Sequence, residues 1–318
     1  MEGNFRDALG EAFVRMGEEY PELAVVTADV SKSTRSIKFK EKFPERFYSV
    51  GIAEADAVGI SAGLATWGSP VIFTAYSVFA TEKPFEQIRN MLCYPNLNVK
   101  VVATHGGISV GQDGVTHQAI EDIAIMRAIP NMKVLVAADP GEVCAALREA
   151  VRTPGPVFLR LGRGEAEVLH EDKDAVDFRL GKAEVLRDGK DVTLAAVGLM
   201  VWESLQAAKK LEAEGIDARV VNLRSVKPLD TECVVAAARE TGALVVAEDH
   251  NCFGGAGGAV AECLVKNAPV PMEHVAVKDT FAESGECSSL MKKYGLTAED
   301  IYRAAKQAIA RKDGSGKC

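Results

Sequence analysis

No stretch of about 18 consecutive apolar residues occurs in the chain, so no segment is suited to cross a bilayer as a helix. Positive charge is also short. Thirty-seven Lys and Arg against 45 Asp and Glu leave a formal net charge of −8, so the whole chain has no electrostatic attraction to nucleic acid or an anionic membrane. The seven cysteines, Cys93, Cys144, Cys233, Cys252, Cys263, Cys287 and Cys318, include no C-x-x-C pair and are odd in number. That pattern argues against a zinc or redox centre and for reduced thiols in a cytoplasmic protein. The opening MEGNFRDALGEAFVRMGEEYPE carries acids throughout and reads as an amphipathic helix, not a signal peptide. The tail RKDGSGKC reads as frayed.

What is present is an ordinary globular composition, 47% apolar and 26% charged over 318 residues, enough for two domains. Short apolar runs stand at 23–29, 69–76, 99–105, 132–138, 156–161, 191–198, 217–223, 243–249 and 272–278, with helical periods such as EADAVGISAGLAT and PGEVCAALREAV between them. This alternation predicts an α/β protein of two domains, each a mostly parallel sheet with helices on both faces. Near-continuous apolar strands fit burial on both sides. The rhythm breaks at VLHEDKDAVDFRLGKAEVLRDGK, which predicts one domain over 1–168, a linker over 169–190 and a second domain over 191–318.

Ligands of open α/β sheets gather beyond the carboxyl ends of the strands. There the sequence puts ADVSKST, YSVFATEKPFEQ, THGGISVGQDGVTHQ and LGRGE, all in the first domain. Glu54 opens a helix rich in small residues; packed at an interface, its carboxyl would lose water and could share a proton with a ligand nitrogen. The alternative is a solvent-facing glutamate beside Asp56. Tyr76, Phe79 and Phe85 cluster after a strand and could stack on a planar heterocycle or simply fill the core. His105, Asp113 and His117 flank a glycine loop before a helix expected to start near residue 118, a plausible anion cradle with proton-transfer groups. Their spacing does not suit a compact metal site. Arg160 and Arg163, and more weakly Ser33 and Arg6, are candidate phosphate ligands. The segment AEDHNCFGGAGGAVAE lacks G-x-G-x-x-G spacing, so its glycines read as a means of close helix packing.

Taken together, YSVGIAEADAVGISAGLA, YSVFATEKPFEQIRN, VATHGGISVGQDGVTHQAIEDIAIMRAIPNMKV and GPVFLRLGRGE resemble the C-terminal half of transketolase, with its pyrimidine-binding and C-terminal domains. The resemblance implies a thiamine diphosphate enzyme. It assigns Glu54 to the aminopyrimidine ring nitrogen, where the family's glutamate promotes the reactive imino form. Phe79 becomes the aromatic stacked on that ring, with Phe85 lining the pocket and Asp29 close to the cofactor. His105, Asp113 and His117 handle the sugar's hydroxyls and phosphate and assist proton transfer, and Arg163, Arg6 and Ser33 bind phosphate.

The family's diphosphate-binding domain, with its G-D-G motif, has no counterpart here. The resemblance therefore implies a split enzyme in which a separate N-terminal subunit holds the diphosphate and Mg²⁺, assembled as an α2β2 heterotetramer acting on sugar phosphates and inactive without that subunit. Rival readings are 1-deoxyxylulose-5-phosphate synthase, the β subunit of a 2-oxo acid dehydrogenase, and a non-catalytic assembly partner of the same fold.

Overall fold

A computed structural model describes residues 2–314; Cys318 and the end of the tail lie outside the described residues. Fourteen strands occur among the described residues: β1 (Glu2–Asn4), β2 (Ala24–Thr27), β3 (Phe47–Ser49), β4 (Val71–Tyr76), β5 (Val99–Thr104), β6 (Lys133–Val136), β7 (Val157–Arg160), β8 (Glu165–Glu167), β9 (Glu184–Arg187), β10 (Val192–Ala196), β11 (Ala218–Asn222), β12 (Ser225–Lys227), β13 (Leu244–Asn251) and β14 (Met272–Val277). Every apolar run expected to be a strand forms one. The amphipathic start is the helix Phe5–Glu19, whose free amides at Arg6 and Asp7 are taken by the Asn4 side chain.

Seven strands form the first sheet in the order β12-β6-β7-β5-β4-β2-β3, and five the second in the order β14-β13-β10-β11-β9. Pairings are parallel except where β12 meets β6 and β9 meets β11. The two exceptions were not foreseen. β9 lies within the segment expected to be a linker, and β12, which follows the second half's β11, pairs with the first sheet. The short pair β1–β8 ties the start of the chain to the residues after β7.

Successive side chains of a strand point to opposite faces, and both faces here are buried. Ile72 and Leu159 pack on the side of the helices Phe5–Glu19 and Val143–Arg152; their neighbours Phe73 and Phe158 face the other way. That second side is shared, because Phe73 and Phe158 belong to one apolar cluster with Val221, Val246 and Val260 of the second half. One core thus runs through both sheets. Burying one such phenylalanine is worth about 1.5–3 kcal/mol, so the two halves are joined by far more than a linker. The carboxyl ends of β2, β4, β5 and β7 all lie along one edge.

Candidate active site

The rings that follow β4 and β5 meet. His105 comes directly after β5 in a left-handed conformation, φ 65°, which turns its imidazole back over Tyr76 at a centroid distance of 3.9 Å. Phe79 also stacks on Tyr76, at 5.9 Å, and His117 packs edge-on to Phe79 at 5.1 Å. Tyr76, Phe79 and His117 remain half-exposed, whereas His105 is buried. Its ring nitrogen Nδ1 shares a hydrogen bond with Thr104 Oγ1 at 2.7 Å. Burial first, then the positive charges of Arg163 and Arg6 and the neighbouring His117, push the His105 imidazole down to about 3. It is therefore neutral at pH 7, able to donate or accept a hydrogen bond but not to act as a cation.

Glu54 opens the helix Glu54–Ala65 and is 6% exposed, while Asp56 points to solvent. The solvent-facing alternative is thereby excluded. Its Oε2 accepts a hydrogen bond from Lys83 Nζ at 3.2 Å, and the same ammonium lies 4.9 Å from the Phe79 ring centroid. Lys83 links the buried carboxylate to the aromatic cluster. Sequence reading missed it, since 29 positions separate it from Glu54 and no periodicity marks the pair.

The glycine loop takes two short 3₁₀ turns, Ile108–Asp113 and Val115–His117, made possible by Gly107, Gly111 and Gly114 at φ 82°, 81° and 78°. Arg163 holds it from below: one guanidinium nitrogen donates to Val110 O and lies 3.4 Å from Asp113 Oδ2. The helix expected near residue 118 starts instead at Asp122, because residues 118–121 are spent turning the chain. Its N-terminus offers no anion cradle, since Asp122 occupies it, accepting from Ser77 Oγ and from its own neighbour Ile123 N.

The sequence matches the family model "Transketolase, pyrimidine binding domain" over residues 2–168 and "Transketolase, C-terminal domain" over 181–301. The chain belongs to the transketolase family. A Methanocaldococcus jannaschii protein named as a C-terminal section of transketolase is 41% identical over 299 residues, 94% of either chain. The 6-deoxy-6-sulfo-D-fructose transketolase subunit SqwH of a Clostridium species is 39% identical, over 97% of this chain and 95% of its own. A solved structure, "Split gene transketolase, inactive beta4 tetramer", superposes with a TM-score of 0.89 at 46% identity, over 97% of this chain and 99% of that one.

Within this transketolase-family chain the remaining candidates fall in different places. Arg6 lies near enough to His105 to lower its pKa, and its Nε is buried without a partner. Asp29 (φ 60°, exposed) and the half-buried Ser33 follow β2, and no hydrogen bond, ion pair or ring contact joins either to the ring cluster. Phe85 packs on the apolar core. Arg160 is no free phosphate ligand. Its guanidinium is buried, bound to Asp122 Oδ2 at 2.7 Å and to the carbonyls of Ala119 and Asp249 at 3.2 and 2.8 Å. In the glycine-rich segment 254–258 an internal carboxylate already takes the place of an external anion. Glu248 already accepts from Ala256 N and Gly257 N at the start of the helix Ala256–Asn267, and a Cβ at Gly257 would lie 2.4 Å from the His274 ring. These glycines allow close packing, as their spacing predicts. No helix is long and apolar enough to cross a membrane, among the described residues.

Proposed function

We propose that this chain is the C-terminal subunit of a split transketolase and contributes the pyrimidine side of a thiamine diphosphate site completed by a separate N-terminal subunit. The observation that carries the reading is a buried carboxylate, Glu54, joined through Lys83 to a half-exposed aromatic cluster on the ligand-binding edge of a parallel sheet. A desolvated acid beside an open aromatic face suits a flat, basic heterocycle. The residues fit the cofactor: Glu54 would take the ring nitrogen and Phe79 the ring face. Thiamine diphosphate, when bound, supplies a carbon nucleophile that carries the two-carbon unit.

The chain's own groups then divide the remaining work. Neutral His105 is placed to exchange a hydrogen bond with a substrate hydroxyl, and His117, half-exposed beside Phe79, to move a proton there. Arg163 and Arg6, the latter with an unpartnered buried nitrogen, are placed to neutralise a sugar phosphate. Asp113, held near Arg163, bonds the sugar's hydroxyls. Asp29 and Ser33, which follow β2 on the same edge, would contact the cofactor and the phosphate respectively. Phe85 backs the pocket from the core.

Mg²⁺ belongs with the other subunit. Among the described residues the one group of three metal-capable side chains, Asp139, Glu142 and His170, lies past β6 with no hydrogen bond or ion pair to Glu54, His105 or His117, and Arg224 already ion-pairs Glu142 there. The cofactor's diphosphate would meet an acidic chain with no metal-binding motif of its own. The proposed assembly is α2β2, with the site at the junction of the two kinds of subunit.

Co-purification with an N-terminal subunit, then ketol transfer from xylulose 5-phosphate to ribose 5-phosphate with thiamine diphosphate and Mg²⁺, tests this. The expected result is turnover by the pair and none by either chain alone. A well-folded complex without transfer overturns it and directs the assay to pyruvate with glyceraldehyde 3-phosphate.

A further inference from the structure

Among the described residues no ring contact or hydrogen bond joins the second domain to the ring cluster, yet this domain holds the glycine loop at several points. Asp249, near the end of β13, is 3% exposed. Its Oδ1 accepts from Ile108 N at 2.8 Å and its Oδ2 from Ser109 N at 3.2 Å. One carboxylate thus takes the first two amides of the Ile108–Asp113 turn. The approach is so close that a Cβ at Gly107, already at φ 82°, would lie 2.1 Å from Asp249 Oδ2. Further along, Ser284 Oγ donates to Gln112 O, and Gln118 Nε2 donates to Glu283 O at 3.0 Å. A Cβ at Gly111 would stand 3.2 Å from Gly285 O, and Asn251 N donates to Ile120 O at 2.8 Å.

We infer that Asp249, assisted by the 283–285 turn, is a positioning residue that sets the backbone of the loop carrying Asp113 and His117. The loop's three left-handed glycines make many conformations accessible, and a 3₁₀ turn of six residues is weakly held by its own hydrogen bonds. A buried carboxyl group that accepts from two amides is the strong element, since a buried donor left without its acceptor is costly. The 283–285 turn adds contacts at the far end, so the loop is gripped at both ends by a domain that supplies no group to the chemistry. The substrate side of the inference rests on the loop's proposed role in sugar-phosphate binding.

The test uses Asp249→Asn, which keeps the shape but offers one acceptor to two amides, and Ser284→Ala, whose side chain is exposed and lies outside the core. In the full chain, hydrogen exchange of peptides covering 106–117 should rise about tenfold in Asp249→Asn, the effect of one ordinary hydrogen bond lost, with strands β5 and β10 unchanged. Ser284→Ala should shift the same peptides less. In the assembled pair, KM for the sugar phosphate should rise by about the same factor while kcat stays within about threefold. Unchanged loop exchange in both variants would overturn the inference, as would faster exchange spread evenly over the chain in Asp249→Asn with Ser284→Ala silent. So would faster loop exchange accompanied by unaltered KM. If the unsubstituted pair shows no turnover, the activity reading fails by itself and the exchange data decide the anchoring.

Discussion

Arg160→Met should show how much the interior depends on one buried cation. The guanidinium is 5% exposed and makes three bonds: to Asp122 Oδ2, to Ala119 O and to Asp249 O across the domain boundary. Methionine fills similar volume, so the cost is electrostatic and not a cavity. Removing one partner of a buried ion pair costs about 3–5 kcal/mol, because the other is left charged and dry. Asp122 keeps two donors, Ser77 Oγ at 2.5 Å and Ile123 N at 2.9 Å, which places the value near the lower end. Of the two carbonyls, Ala119 O keeps the Gly107 amide at 2.8 Å, so the lost bond to Asp249 O adds roughly 1 kcal/mol. For a chain of this size, about 2 °C is lost per kcal/mol, so the melting temperature should fall by roughly 6–10 °C. Adding Asp122→Asn removes the stranded charge, and the double variant should recover about 2 kcal/mol of the loss. Thermal melts of wild type, both single variants and the double variant close the cycle. A loss below about 1 kcal/mol in Arg160→Met, or strictly additive single effects, would refute the reasoning.

Two other substitutions separate competing effects. In the cluster joining the halves, burial opposes charge on His170, but the hydrogen bonds it donates to Asp139 and Glu184, with the nearby Glu142, push its imidazole up to about 10. Since the folded value exceeds the unfolded value of about 6.5, its contribution is complete below pH 6.5 and is lost as pH rises toward 10. The stability gap between wild type and His170→Gln, from urea midpoints at pH 6, 8 and 10, should therefore shrink with rising pH; a constant gap would count against it. Gly257→Ala should destabilise. Helix propensity alone would favour alanine by about 1 kcal/mol, but its Cβ would stand 2.4 Å from the His274 ring, and overpacking costs about 1–3 kcal/mol. A rise in melting temperature would show that the ring moves freely aside.

Much of this was readable in the chain. Nine strands and the α/β class follow from apolar runs because the sheets are buried on both faces, and such strands carry their own signal. β12 and β9 carry none. Each is only three or four residues, and each is made a strand by the neighbour it meets, β6 or β11, through contacts distant in sequence. The same limit governs the site. Residue type and strand-end position identify Glu54, Phe79, His105 and His117 as candidates, but only the fold shows that Glu54 is buried and that Lys83 reaches it. Two arginines three residues apart look alike in sequence. Arg160 is the last residue of β7 and points into the interior, whereas Arg163 lies past the strand and reaches the loop. The helix expected near residue 118 begins at Asp122 because the chain first runs past β13, where Asn251 N donates to Ile120 O, a contact distant in sequence.

The most direct measurement is deuterium exchange at the thiazolium C2 of thiamine diphosphate bound to the assembled pair, comparing wild type with Glu54→Gln. Glutamine keeps the size of the side chain and its hydrogen-bonding reach but cannot exchange a proton with the pyrimidine nitrogen. The account predicts that cofactor binding survives while exchange slows by roughly a hundredfold or more, the usual worth of a placed acid or base. Equal exchange rates in the two proteins, with cofactor bound in both, would contradict it.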